Sequence, residues 1–224
     1  MRIGVRFIVL MIAVLFVFGG VGASHAKDQA GKFDYYALAL SWSPSYCASA
    51  KHARDSLQCN NARPFAFVVH GLWPQYERGW PQNCRLRKRP WVPETLIDKM
   101  LDIMPSRKLV IHEYKKHGTC SGLSPDAYFA LVRRIYKQIT IPERFQRLSK
   151  PLAISPDEVE AEFLKANPAL KPEMVSIVCR GSRLSELRIC FSRDETLQAC
   201  GVNETQRKLC NSRKIVMPPV RGGQ

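Results

Sequence analysis

The sequence predicts an α+β domain: a central, largely antiparallel β-sheet flanked by α-helices and stapled by disulfides. Three observations predict it. Strand-like and helix-like segments are interspersed without a regular βαβ alternation and without a GxGxxG run. The eight cysteines (Cys47, Cys59, Cys84, Cys120, Cys179, Cys190, Cys200 and Cys210) are even in number and all lie beyond residue 26. No internal repeat, low-complexity linker or domain boundary follows residue 27, so 27–224 reads as a single domain, long enough for a proper core.

The N-terminus reads as a signal peptide, 1–26. Arg2 and Arg6 precede an apolar run at 7–18, and the small-residue stretch "GGVGASHA" follows, with Ser24 and Ala26 set for cleavage after Ala26 and Ala23 as the weaker choice. A membrane anchor is the rival reading, but the run is short for a span of roughly 20 residues. The chain is therefore expected to be exported, to the periplasm or the medium, with no stable membrane association once the leader is gone. Losing two arginines lowers the formal charge from +15 to +13. That excess favours an anionic partner such as nucleic acid. An even cysteine count in an exported chain reads as disulfides, although eight cysteines allow 105 pairings.

"FDYYALALSW" (33–42) and "FAFVVHGLW" (65–73) are rich in aromatic and β-branched residues and predict strands. Leu96, Ile97, Met100, Leu101 and Met104 recur at helical spacing over 93–104. Ser124-Pro125-Asp126 opens another helix with a cap and a first-turn proline, and Ser155-Pro156-Asp157-Glu158 a third with a capping box. "MVSIVC" and "ELRICFS", where Leu187, Ile189 and Phe191 alternate, return to strand.

The run "IHEYKKHGTCSG" (111–122) carries the chemistry. At about 100° per residue, His112, Glu113, Lys116 and His117 share one helix face, while Tyr114 and Lys115 point elsewhere. A solvated outer face is the ordinary explanation of such a run. Against it, Gly118 reads as the helix cap and Cys120 as an anchor for that end. A zinc site is disfavoured because HExxxH is one residue longer than HExxH, Lys116 lies between the imidazoles, and no CxxC occurs. Neither metal nor cofactor is expected. Two imidazoles can pass a proton in each direction, and a lysine suits a phosphate that gains charge. The complementary histidine is His70, near the end of the second strand and followed by Trp73, whose ring can stack a nucleobase. His25 leaves with the leader, and His52 lies in a polar loop.

These two motifs resemble the signatures of the ribonuclease T2 family, an HGLWP strand end at 70–74 and an HE-aromatic-x-KHGTC helix at 112–120. The resemblance extends from "FDYYALALSWSPSYC" through the C-terminal cysteines. It implies cleavage of single-stranded RNA by the ribose 2′-hydroxyl, giving a 2′,3′-cyclic phosphate and then a 3′-phosphate, so that DNA is spared; a monomer is expected. It implies His117 as base, His70 as acid, His112 on phosphate, Glu113 and Lys116 on the pentacovalent state, and Trp73 under the base 5′ to the cut. It also implies the pairs Cys47–Cys59, Cys84–Cys120, Cys179–Cys210 and Cys190–Cys200.

Three positions depart from the family pattern. Tyr114 replaces a commoner tryptophan, Gln75 stands where some members have an acidic residue, and Ser41 where many have a glutamine that helps hold the second base. An inactive secreted RNA-binding protein and a zinc-dependent hydrolase are the alternatives. The basic run "RLRKRPW" (85–91) is either an outer phosphate site or a solvated loop, and Asn203-Glu204-Thr205 matches a glycosylation sequon.

Overall fold

The computed structural model describes residues 28–49, 55–59 and 63–220; the leader expected at 1–26 lies outside them. In chain order the elements are β1 (Tyr35–Trp42), α1 (Ser43–Cys47), β2 (Phe67–Gln75), α2 (Glu94–Met100), α3 (Arg107–Glu113), a π-helical turn (Tyr114–Gly118), α4 (Thr119–Ser121), α5 (Pro125–Lys137), α6 (Glu143–Gln146), β3 (Leu152–Ile154), α7 (Pro156–Ala166), β4 (Val175–Arg180), β5 (Arg183–Phe191), α8 (Gln206–Leu209) and β6 (Ile215–Met217). The six-stranded sheet runs β2-β1-β5-β6-β3, with β4 on β5. Only β5–β6 is parallel, through the single pair Arg183 and Val216.

β1 lies between β2 and β5 and is buried along nearly its whole length. A strand covered on both faces needs a continuous apolar run rather than alternation, as "YYALAL" provides. Trp42, Phe67, Phe145 and Phe163 close one end of the core with ring-centroid distances of 5.0–6.3 Å. Ser124 caps α5, and Ser155 with Glu158 forms the reciprocal capping box of α7.

Two expectations are corrected. The helix predicted over 93–104 ends at Met100; Met104 reaches the core from the following turn, its N–H donating to Met100 O at 2.8 Å. Gly118 is no cap: its φ of −59° is helical, and the chain runs on through α4 to Gly122, whose φ of 78° makes the left-handed cap. Gly118 is small for another reason. A Cβ there would come 2.5 Å from Tyr114 Cδ2 and 3.1 Å from the Tyr128 ring.

Four disulfides join Cys47 to Cys59, Cys84 to Cys120, Cys179 to Cys210 and Cys190 to Cys200, the pairs the resemblance implies. The second fastens α4, immediately after the π turn, to the segment after β2. Asn83 N–H reinforces it by donating to Lys116 O at 2.7 Å. Among the described residues no helix is long and apolar enough to cross a membrane.

Candidate active site

Both histidine motifs lie on backbone irregularities. In the β1–β2 ladder Ala39 faces Gly71 and Leu40 faces Val69, so His70 is the extra residue of a β-bulge, a device that re-aims a side chain. The second irregularity is the π turn, in which Thr119 N–H bonds to Tyr114 O, five residues back. A π turn carries more residues per revolution than an α-helix, so its last side chains are re-phased relative to α3. The turn is backed by aromatic packing of Tyr114 on Tyr128 and Phe129, and Tyr128 Oη donates to Leu72 O at 2.8 Å. Tyr114 faces this core, as its off-face position requires, and its hydroxyl donates to Leu123 O.

Trp73 stands against both imidazoles: its ring lies 5.1 Å from His70, edge-on, and 5.2 Å from His117, tilted by 30°. Its indole N–H donates to Glu113 Oε2 at 2.7 Å. That bond passes over Gly71, where a Cβ would meet Glu113 Oε2 at 2.1 Å and Trp73 Nε1 at 2.5 Å. No residue with a side chain fits there without breaking the pair, which explains the glycine after His70. The Arg188 guanidinium lies over the indole at 4.8 Å. Trp73 is thus only 8% exposed.

A residue outside both motifs completes the site. His70 Nδ1 lies 2.7 Å from Glu186 Oε1, and Arg188 donates to Glu186 Oε2 from Nη2 at 3.1 Å. Burial alone would raise the Glu186 pKa, but His70 and Arg188 outweigh it and hold the carboxyl at about 2. An ionised carboxylate only accepts, so Nδ1 carries the hydrogen and Nε2 faces the site, 3.6 Å from Glu113 Oε1. Sequence reading missed Glu186, although Glu186 and Arg188 share the strand face opposite Leu187, Ile189 and Phe191.

The electrostatics of the two imidazoles diverge. Burial lowers the His70 pKa, but Glu186 and Glu113 overcome this, and the net shift is upward. His117 is buried, its Nδ1 has no hydrogen-bond partner, and desolvation with Lys116, His70, His112 and Arg188 nearby depresses its pKa to about 3. His112 is exposed, and partial desolvation, then Lys116 and His70, lower its pKa. Burial raises that of Glu113, though His70 and the Trp73 hydrogen bond pull the other way.

Among the described residues no group of three or more His, Cys, Asp or Glu is disposed to hold a metal ion. Gln75 is buried and accepts from Asn203 Nδ2 at 3.2 Å. The same Asn203 amide also donates to Tyr76 O and Gly79 O, so the sequon asparagine works as a clamp on the turn after β2. In the basic run Arg85, Arg87, Lys88, Arg89 and Trp91 are exposed. Ser41 lines a cavity of about 500 Å³ that opens beside His70.

Comparison with known proteins agrees with this architecture. Residues 33–200 match the ribonuclease T2 family. A ribonuclease of Aeromonas hydrophila is 40% identical over 203 residues, 90% of this chain and 91% of that protein. Ribonuclease I of Escherichia coli K12 is 30% identical over 208 residues, covering 74% of this chain and 78% of its own. Among solved structures, an RNase-related protein from Calystegia sepium superposes with a TM-score of 0.64 at 20% identity, over 85% of this chain and 99% of that one, a likeness of fold.

Proposed function

Because the chain belongs to the ribonuclease T2 family, on its bacterial branch, and is an endoribonuclease of that type, we propose that it cuts single-stranded RNA by transesterification between the two imidazoles. His117 takes the proton of the ribose 2′-hydroxyl, whose oxygen attacks the adjacent phosphorus. His70 gives its Nε2 proton to the departing 5′-oxygen. The 2′,3′-cyclic phosphate is then opened by water with the two roles exchanged, leaving a 3′-phosphate.

The observation that carries this reading is the opposed displacement of the two histidines. A base must be neutral and an acid protonated at the same pH, and environments that push two titrating groups apart mark those roles. The neutral form of His117 and the protonated form of His70 are both favoured here. An incoming phosphodiester anion offsets part of the positive field on His117 and strengthens it as a base. Lys116 and His112 take the phosphate charge. Glu113, which accepts from the Trp73 indole and favours the proton on His70, supports the pentacovalent state. Stacking of the 5′ base on Trp73 requires a ring face, and the base takes it in place of Arg188.

Export with loss of 1–26, and residence in the periplasm or medium as a monomer, complete the proposal. Four disulfides suit an oxidising compartment. The decisive experiment is incubation with RNA and with DNA in excess EDTA, followed by identification of product ends. RNA should be degraded to cyclic and 3′-phosphate ends while DNA stays intact. Loss of activity on chelation, restored by zinc, would overturn the mechanism, and RNA binding without release of fragments would point to an inactive binder.

A further inference from the structure

The cavity beside His70 is not occupied by any part of the mechanism. It has a volume of about 500 Å³, and its wall includes His70, Glu186, Arg180 and Arg183. Neither Trp73, Glu113, Lys116 nor His117 contributes to its wall. It therefore lies on the acid's side of the scissile phosphate, where the departing 5′-oxygen and the nucleoside attached to it must go. Its size falls in the range of small-molecule sites, roughly 300–1,000 Å³.

Two features of its wall call for a ligand. Arg180 and Arg183 are cross-strand partners at the end of the β4–β5 hairpin, joined by Gly181 and Ser182. Like charges directly opposite each other in an antiparallel pair are destabilising. Both side chains are exposed, and neither is in an ion pair with a carboxylate among the described residues. An anion between them removes the repulsion, and two guanidiniums match the oxygens of a phosphate. The second feature is the run of polar residues in the same wall, Ser41, Ser45, Ser49 and Gln58. Polar groups of this kind suit a nucleoside better than an apolar ligand.

The cavity wall includes Ser41, at the position where the family pattern holds the second base; beyond it, we propose that Arg180 and Arg183 form a phosphate subsite for the phosphodiester one nucleotide downstream of the cleaved bond. The proposal rests on His70 as the acid, since that assignment sets the direction of the strand. The enzyme then reads its substrate as a polymer, gripping the leaving side by a charge that a dinucleoside monophosphate lacks.

The test compares a dinucleoside monophosphate, NpN, with the same compound carrying a terminal 3′-phosphate, NpNp. The wild type should cleave NpNp with a kcat/KM about tenfold higher or more, the scale of a charge-assisted phosphate contact. In Arg180→Gln/Arg183→Gln that ratio should fall toward one. Lys165→Gln/Lys171→Gln, exposed and outside the cavity, should keep it. The hairpin variant should melt no lower than wild type, because it removes facing like charges. Equal rates on NpN and NpNp in the wild type, or an unchanged ratio in the hairpin variant, would overturn the subsite alone. Failure to convert NpN to a cyclic phosphate would instead overturn the reaction on which it rests.

Discussion

Glu186 sets the proton on His70 through one hydrogen bond of 2.7 Å and a full negative charge. Glu186→Gln keeps an oxygen that can accept from Nδ1 but removes the charge, so it separates orientation from electrostatics. With His70 as the proposed acid, the alkaline limb of a kcat/KM pH profile follows loss of its proton, and this limb should move down. The acid limb, governed by protonation of His117, should stay in place. An alkaline limb that does not move would reduce Glu186 to a steric support. His70, Trp73, Glu113 and His117 were legible in the sequence because they sit in two short motifs with a chemical pattern. Glu186 was not, because only strand pairing through β1 brings a residue 116 positions away to His70.

At the scale of elements, each of the two histidines proposed as acid and base owes its aim to a single-residue slip. His70 is the bulged residue of β2, and His117 rides the π turn. Periodicity arguments assume regular strands and helices, so they identified the shared face of 112–117 yet misread Gly118 as its end. Gly118 instead lets the π turn press on Tyr114 and Tyr128. Gly118→Ala should therefore cost about 1–3 kcal/mol, the usual scale of overpacking. It should also lower turnover, because relief of the clash moves His117. Urea unfolding together with turnover on NpN measures both; unchanged stability would mean that the aromatic wall yields freely. The segments that escaped sequence reading include α1, α6, α8, β3 and β6, only three to five residues long, too short to display a period.

Across the whole molecule, the buried site makes stability depend on pH. The folded pKa of His117, about 3, lies below its unfolded value of roughly 6.5, so between these the unfolded chain binds more protons. Stability from this group therefore falls as pH drops through that window, by up to about 1.4 kcal/mol per unit. Glu186, at about 2 when folded, adds stability above its unfolded value that is lost as pH falls toward 2. His70 has the opposite sign: its contribution is full below its unfolded value and lost as pH rises through its raised folded one. Melting curves of wild type and His117→Asn should differ by a constant above pH 6.5, and the variant should gain on the wild type between 6.5 and 3. A difference that stays flat there would place the titration elsewhere. The α+β class was readable from interspersed patterns and paired cysteines. Strand order was not, because sheet neighbours such as β1 and β5 are distant in the chain.

The bridge between Cys84 and Cys120 closes 36 residues, a span that contains α2, α3 and the turn bearing Lys116 and His117. Losing a native bridge of this kind costs about 2–5 kcal/mol. A newly made chain in reducing surroundings holds thiols in its place, and its base-bearing turn is fastened only by weaker bonds such as that of Asn83 to Lys116. Oxidation should then act as a safety catch: the reduced protein should leave RNA uncut until Cys84 and Cys120 are joined, and full cleavage by the reduced protein would overturn this.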